Sequence, residues 1–379
     1  MNLVFLSCLL MTLVANVMAQ PDQAPKRLLV VSGGGARGAW GVGIANFLDA
    51  TGKRYAHIVG TSTGSLMAPL ILLRKFDKLN RAYTSVSQKD IFTINPFRKD
   101  GGIKLLNAIC RFNKASLGTT ENLRTLIRQF ITPETYNLIR NDPSGLDFTV
   151  AIVNLRTLEP AYQSARQNPD YEQMVNWIWA SANEPVFMSP YVTKNASGTE
   201  DYWVDGGVRN VIPIRQGMQI ALNNNYQAVD VIVNSLPDAD EPSSTWPDGN
   251  PTLFKTLIRT LDTYGSGTRE MNITIGSLLD ELGRVPAMQS ETALADELEP
   301  SITLTFYFMP SDLFQLIPNE LIFEQNKMTT LLDAGRQGRY VTRPQPEGTL
   351  AASGAPAEGT HSFKISKSAL GSLLKRLNP

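Results

Sequence analysis

Leu28-Leu29-Val30-Val31-Ser32-Gly33-Gly34-Gly35-Ala36-Arg37-Gly38 decides the fold, and His57-Ile58-Val59-Gly60-Thr61-Ser62-Thr63-Gly64 repeats its logic a short distance on. The apolar run from Leu28 to Val31 is of the kind buried on both faces of a parallel sheet. Three glycines end it. Residues 36–50 then carry apolar side chains at helical spacing, and Gly52 is placed to stop that helix. The second unit is a short strand at 55–59 followed by an apolar helix at 65–76. Strand, glycine turn and helix, twice over, predict a three-layer α/β/α sandwich around a mainly parallel central sheet.

Working outward, further strands are expected at 148–153, 161–164, 202–204, 229–233 and 302–308. Helices are expected at 121–131, 171–182, 213–223, 253–263 and 320–332, with Pro213 suited to a first helical turn. Residues 237–251, rich in Pro, Asp and Ser, read as an exposed loop. The later elements could complete the same sheet, so one domain is assigned to 26–340 with its core at 26–236. Residues 341–363 read as a low-complexity linker. Residues 364–379 set Ile365, Leu370, Leu373, Leu374 and Leu377 among Lys364, Lys367, Lys375 and Arg376. Such a tail is either a basic amphipathic helix able to touch an anionic membrane surface, or a helix docked on the domain or frayed from it.

The composition narrows the function. With 42% hydrophobic residues over 379 positions the chain can bury a large core, and 35 basic against 35 acidic side chains leave no positive field for nucleic acid. Residues 1–19 hold no charged side chain and close on Val17-Met18-Ala19 before Gln20-Pro21. They read as a signal peptide cleaved after Ala19, which sends the protein to the periplasm, the envelope or the medium; a retained anchor is the other reading. Of the two cysteines, Cys8 lies in that segment, so Cys110 alone excludes a disulfide framework. The two histidines, His57 and His361, exclude a His-rich metal site and restrict any Ser-His-Asp arrangement.

Gly33 to Gly38 fits G-x-G-x-x-G, in which glycines admit a pyrophosphate to a helix N-terminus. That use also needs an acid at the end of the second strand, where the chain has His57-Ile58-Val59-Gly60 instead. Gly60-Thr61-Ser62-Thr63-Gly64 is G-x-S-x-G between a strand and a helix, a sharp turn that projects a serine hydroxyl from the sheet edge. Ser62 is therefore the nucleophile candidate. His57 sits on the strand leading into the turn and reads as structural, and His361 follows the linker, so neither histidine is placed to act as base. A carboxylate can take that role if it reaches the hydroxyl. Asp205, in Tyr202-Trp203-Val204-Asp205-Gly206-Gly207, is delivered by an apolar strand to a glycine turn. An aspartate there could simply cap the turn; together with the two glycine motifs, the proton-accepting role is favoured.

These three motifs, in this order, resemble the patatin-like phospholipase family. The likeness runs from about 26 to 236, more weakly to 332, and includes Ala180-Ser181-Ala182-Asn183-Glu184-Pro185-Val186-Phe187 together with Asn210 and Pro213. The resemblance implies a lipid acyl hydrolase of phospholipase A or lysophospholipase type. Ser62 would attack the ester, Asp205 would accept its proton, and an acyl-enzyme would be resolved by water. Gly33, Gly34 and Gly35, with Thr63, would supply the oxyanion hole, and Gly38, Gly60, Gly64, Gly206 and Gly207 would shape the turns. Arg37 would either draw in an anionic head group or sit solvated in a first helical turn. The substrate implied is a phospholipid or another acyl ester. No metal or cofactor is implied, and no acidic loop of calcium-ligand spacing is present. Two other readings stay open: a dinucleotide-binding oxidoreductase using Gly33, Gly35 and Gly38, and a catalytically silent lipid-binding relative.

Overall fold

In the computed structural model, which describes residues 26–234, 301–342 and 362–376, the two strand–turn–helix units lie side by side at the centre of one sheet. The strands are β1 (Arg27–Val31), β2 (Tyr55–Thr61), β3 (Asp147–Asn154), β4 (Pro160–Ser164), β5 (Tyr191–Lys194), β6 (Glu200–Asp205), β7 (Ala228–Val233), β8 (Ser301–Phe308) and β9 (Ser362–Ser366). The helices used below are α1 (Gly38–Ala50), α2 (Thr63–Leu72), α3 (Phe76–Thr84), α4 (Leu105–Cys110), α5 (Glu121–Phe130), α6 (Tyr171–Ser181), α7 (Ile214–Asn223), α8 (Gln325–Arg336) and α9 (Lys367–Arg376).

The order β5-β6-β3-β2-β1-β7-β8-β9 makes the sheet mostly parallel at its centre, where β3, β2, β1, β7 and β8 run together. Antiparallel β4, β6, β5 and β9 complete its flanks. Successive side chains of a strand face opposite ways. Leu29 and Val31 therefore join the core beneath α1, α2 and α6, while Leu28 and Val30 join a second core with Ile214 and Met218 of α7. Two apolar layers on one sheet are the three-layer architecture that the buried runs predict.

Two differences follow from tertiary packing. The apolar stretch 65–76 is not one helix: α2 stops at Leu72, Arg74 takes a left-handed φ of 55°, and α3 begins at Phe76. No glycine or proline marks that break; Lys75 N–H closes it onto Leu70 O at 2.8 Å, and the Arg74 guanidinium is held by Asp49 at 2.7 Å. The second difference is at the C-terminus. Assigned in the sequence reading to a linker and a tail that either lay on a membrane or was docked or frayed, this segment pairs β9 with β8, beginning at Ser362, and docks α9 so that Ile365, Leu370 and Leu374 are buried in the second core. The docked alternative thus describes the tail. The signal-peptide segment, the loop 237–251, the helix 253–263, most of the linker and His361 lie outside the described residues.

Candidate active site

The register around β3 brings the site together. Thr61, the last residue of β2, is level with Ala151, and Asp205, the last residue of β6, is level with Ile152. Since β4 occupies the other edge of β3 along 149–153, β2 and β6 meet end to end along one edge. Ser62, one step beyond Thr61, is therefore beside Asp205, near enough for its hydroxyl to pull the carboxyl's pKa down.

The serine sits in the strained geometry its motif demands, with φ 54° and ψ −123°. Turning so sharply leaves no room at its flanks: a Cβ on Gly60 would come 2.4 Å from the Gly64 carbonyl carbon, and one on Gly64 would come 2.4 Å from Val31 O. Ser62 N–H donates to Ser181 Oγ at 3.0 Å, and Ser181 in turn donates to Ala151 O at 2.7 Å. Ser65 Oγ joins the cluster, 2.9 Å from Ser181 Oγ and donating to Gly60 O at 2.8 Å. The end of α6 thus clamps the elbow.

Asp205 is 6% exposed and is fixed from both sides: its N–H donates to Asn183 O at 3.0 Å, and its Oδ1 accepts Gly207 N–H at 2.7 Å. Burial pushes its carboxyl up to about 7 against the pull of the nearby Ser62 hydroxyl and the Gly207 N–H, and the Glu320 carboxylate adds to the rise. A carboxylate at that value titrates where a general base is most useful.

The glycine loop lies against this pair, since a Cβ on Gly33 would sit 3.4 Å from Ser62 Cβ. Among the described residues, the backbone N–H groups of Gly34, Gly35 and Thr63 have no acceptor. Gly33 differs from expectation. Its N–H donates to Val211 O at 2.9 Å, because the chain after the Asp205 turn folds beneath the loop, so this amide is committed to structure. Gly38 packs on Thr63, bringing the start of α1 beside the start of α2, and Gly206 packs on Ala151. Two helix ends with positive dipoles therefore face the space in front of Ser62.

Arg37 corrects both of its expected roles. It is 7% exposed, donating from Nε to Ile317 O at 2.9 Å and from NH2 to Pro318 O at 2.7 Å, with its guanidinium 3.7 Å from the Phe314 ring centroid. The segment after β8 covers it, so it neither meets solvent nor offers charge to a ligand. The same segment sets Glu320 O on Ala36 N–H at 2.8 Å and brings the Glu320 carboxylate within electrostatic reach of Asp205. His57 is a buried strand residue, its Nε2 2.8 Å from Thr149 Oγ1, and burial lowers its pKa.

Sequence reasoning missed Ser181, Glu320 and Asn234 as parts of the site. Asn234, directly after β7, donates from Nδ2 to Ser32 O at 3.1 Å and from its backbone N–H to Ser32 Oγ at 2.8 Å, tying down the entry to the glycine loop. Ser181 and Asn183 lay in a stretch already singled out, whereas Glu320 and Asn234 carried no local signal. The oxidoreductase reading finds no carboxylate at the end of β2, where Thr61 and Ser62 stand.

A solved structure similar to the chain is the crystal structure of VipD from Legionella pneumophila, 12% identical, covering 82% of this chain and 67% of that one with a TM-score of 0.30. No curated protein matches. The family profile described as patatin-like phospholipase matches residues 29–218, from the first buried strand through the Asp205 turn, and with half its length so matched the chain belongs to the patatin-like phospholipase family, a family of lipid acyl hydrolases.

Proposed function

We propose that this protein cleaves carboxylic esters of phospholipids or lysophospholipids through a Ser62–Asp205 dyad. The observation that carries the reading is the register on β3 that sets Ser62 beside the buried Asp205 carboxyl, next to three backbone amides with no acceptor among the described residues. In this scheme ionised Asp205 accepts the Ser62 proton as Oγ bonds to the ester carbon. The carbonyl oxygen becomes an oxyanion held by the amides of Gly34, Gly35 and Thr63 and by the positive ends of α1 and α2. As the tetrahedral intermediate collapses, Asp205 returns the proton to the departing alcohol and an acyl-serine remains. A water molecule then attacks the acyl-serine, giving its proton to Asp205, and Ser62 recovers a proton as the fatty acid leaves. No step needs a second base, which fits a site whose nearest described histidine is a buried strand residue.

The export assigned to residues 1–19 would put this activity at an envelope or an external membrane. Lipid mass spectrometry after incubation of mixed phospholipids with wild-type and Ser62→Ala protein tests the function. Release of fatty acid and lysolipid by the wild type alone is expected. Equal release by both proteins would remove Ser62 from the mechanism, and no release by either would leave the silent lipid-binding relative as the better account.

A further inference from the structure

Among the described residues, the four most exposed large apolar side chains are neighbours: Leu105 is 73% exposed, Leu106 76%, Ile109 64% and Phe112 76%. They form a stripe along α4 and the turn after it, and no residue of α4 is buried. A cluster this prominent is too costly in water to be incidental. Its surroundings are basic, because residues 98–114 hold Arg98, Lys99, Lys104, Arg111 and Lys114 against the single acid Asp100. Two of these cations are anchored at the base of the stripe, Lys104 Nζ on Asn95 O at 3.0 Å and Arg111 Nε on Ser116 O at 2.9 Å. Apolar tips thus project beyond a collar of positive charge.

This collar is fastened to the site. Leu117 N–H donates to Val186 O at 2.7 Å, and the Phe97 ring packs on Phe187 with centroids 5.1 Å apart. Thr120 Oγ1 donates to Asn183 Oδ1 at 2.6 Å, and the Asn183 carbonyl holds Asp205 N–H. On the other side, Gly101 faces Asn319 and Ile322, the neighbours of Glu320. The segment bearing α4 is therefore tied to the residues that hold Asp205 and to the stretch bearing Glu320.

We propose that α4 is an interfacial anchor that seats the mouth of the active site on an anionic phospholipid surface. Leu105, Leu106, Ile109 and Phe112 enter the acyl region while Lys99, Lys104, Arg111 and Lys114 lie at the level of the head groups. Charge complementarity favours this occupant: an anionic bilayer offers both an apolar interior and a negative surface, and needs no preformed socket for a stripe that protrudes. The tail cannot serve in its place, since Leu370 and Leu374 of α9 are turned into the core. No helix among the described residues is long and apolar enough to cross a membrane. The proposal rests on the lipid-hydrolase reading for its purpose, but its binding step does not require Ser62 chemistry.

The test uses full-length Ser62→Ala protein, which leaves vesicles intact, sedimented with phosphatidylcholine vesicles with or without phosphatidylglycerol. Binding should favour the anionic vesicles and weaken with added salt. Leu106→Asp with Phe112→Asp should lower partitioning at least about 10-fold, and Lys99→Glu with Lys114→Glu should erase the anionic preference. An environment-sensitive fluorophore on Cys110, in a Cys8→Ser background, should shift to the blue on vesicles. Undiminished binding by the Leu106/Phe112 variant, an unmoved Cys110 signal, or a dimer that the same variant dissolves while vesicle binding persists would each overturn the proposal. Hydrolysis of a water-soluble ester by the chain with Ser62 intact reports on the hydrolase reading separately, and its absence would leave the vesicle result standing.

Discussion

Burying a carboxylate proposed to accept a proton sets two opposing demands on Asp205. Desolvation raises its pKa to about 7, so the ionised form needed by a base is scarce in acid and abundant above neutrality. If Asp205 is that base, kcat/KM for a soluble ester should fall about tenfold per unit below pH 7 and level off above it. A rate–pH profile checks this, and a flat profile from pH 5 to 8 would exclude Asp205 as the titrating group. The same burial acts on stability. The native state keeps a proton that the unfolded chain has lost, so stability declines as pH rises from the ordinary carboxylate value toward 7, by on the order of 4 kcal/mol in all. Asp205→Asn removes that loss. It should melt higher than wild type at pH 8, match it near pH 4, and turn over about 10⁴-fold more slowly. Ser62→Ala should lose at least about 10³-fold in turnover with little change in melting temperature.

At the scale of elements, the elbow was legible because G-x-S-x-G between a strand and a helix admits few geometries, and Gly60 and Gly64 meet the clashes that the motif anticipates. Its brace was not legible. Ser181 touches Ser62, Ser65 and Ala151 only because α6 packs on β3, and a serine at a helix end has no local mark of that duty. Ser181→Ala leaves Ser62 N–H without its acceptor. We expect kcat to fall about 10- to 100-fold with KM nearly constant, and stability to fall about 1–3 kcal/mol. A proportional change in KM, with kcat preserved, would assign Ser181 to packing alone. Arg37 teaches the converse: its charge suggested solvent or a ligand, yet a segment 280 residues away supplies carbonyls and an aromatic face that hold it inside.

For the molecule as a whole, the C-terminus is a structural member of the sheet. Pairing by β9 covers the edge of β8, which would otherwise offer unpaired backbone groups to another chain. Leu370 is fully buried, so Leu370→Ala should cost about 2–5 kcal/mol, measurable by denaturant unfolding. Truncation before Ser362 should produce aggregation visible by light scattering. A truncated chain that remains soluble and melts as wild type would show that β9 contributes nothing to the edge.

The sequence by itself determined the parallel α/β core, the strained serine and the candidate carboxylate, because apolar runs, glycine turns and flanking residue types are local requirements of backbone sterics and burial. Only the tertiary structure decided which of those groups meet and which amides remain open. Ser62 approaches Asp205 because β2 and β6 end one register step apart on β3. Gly33 N–H is taken by Val211, and Arg37 is enclosed by residues after β8. Each of these depends on chain segments distant in sequence, whose contacts no local pattern of residues encodes.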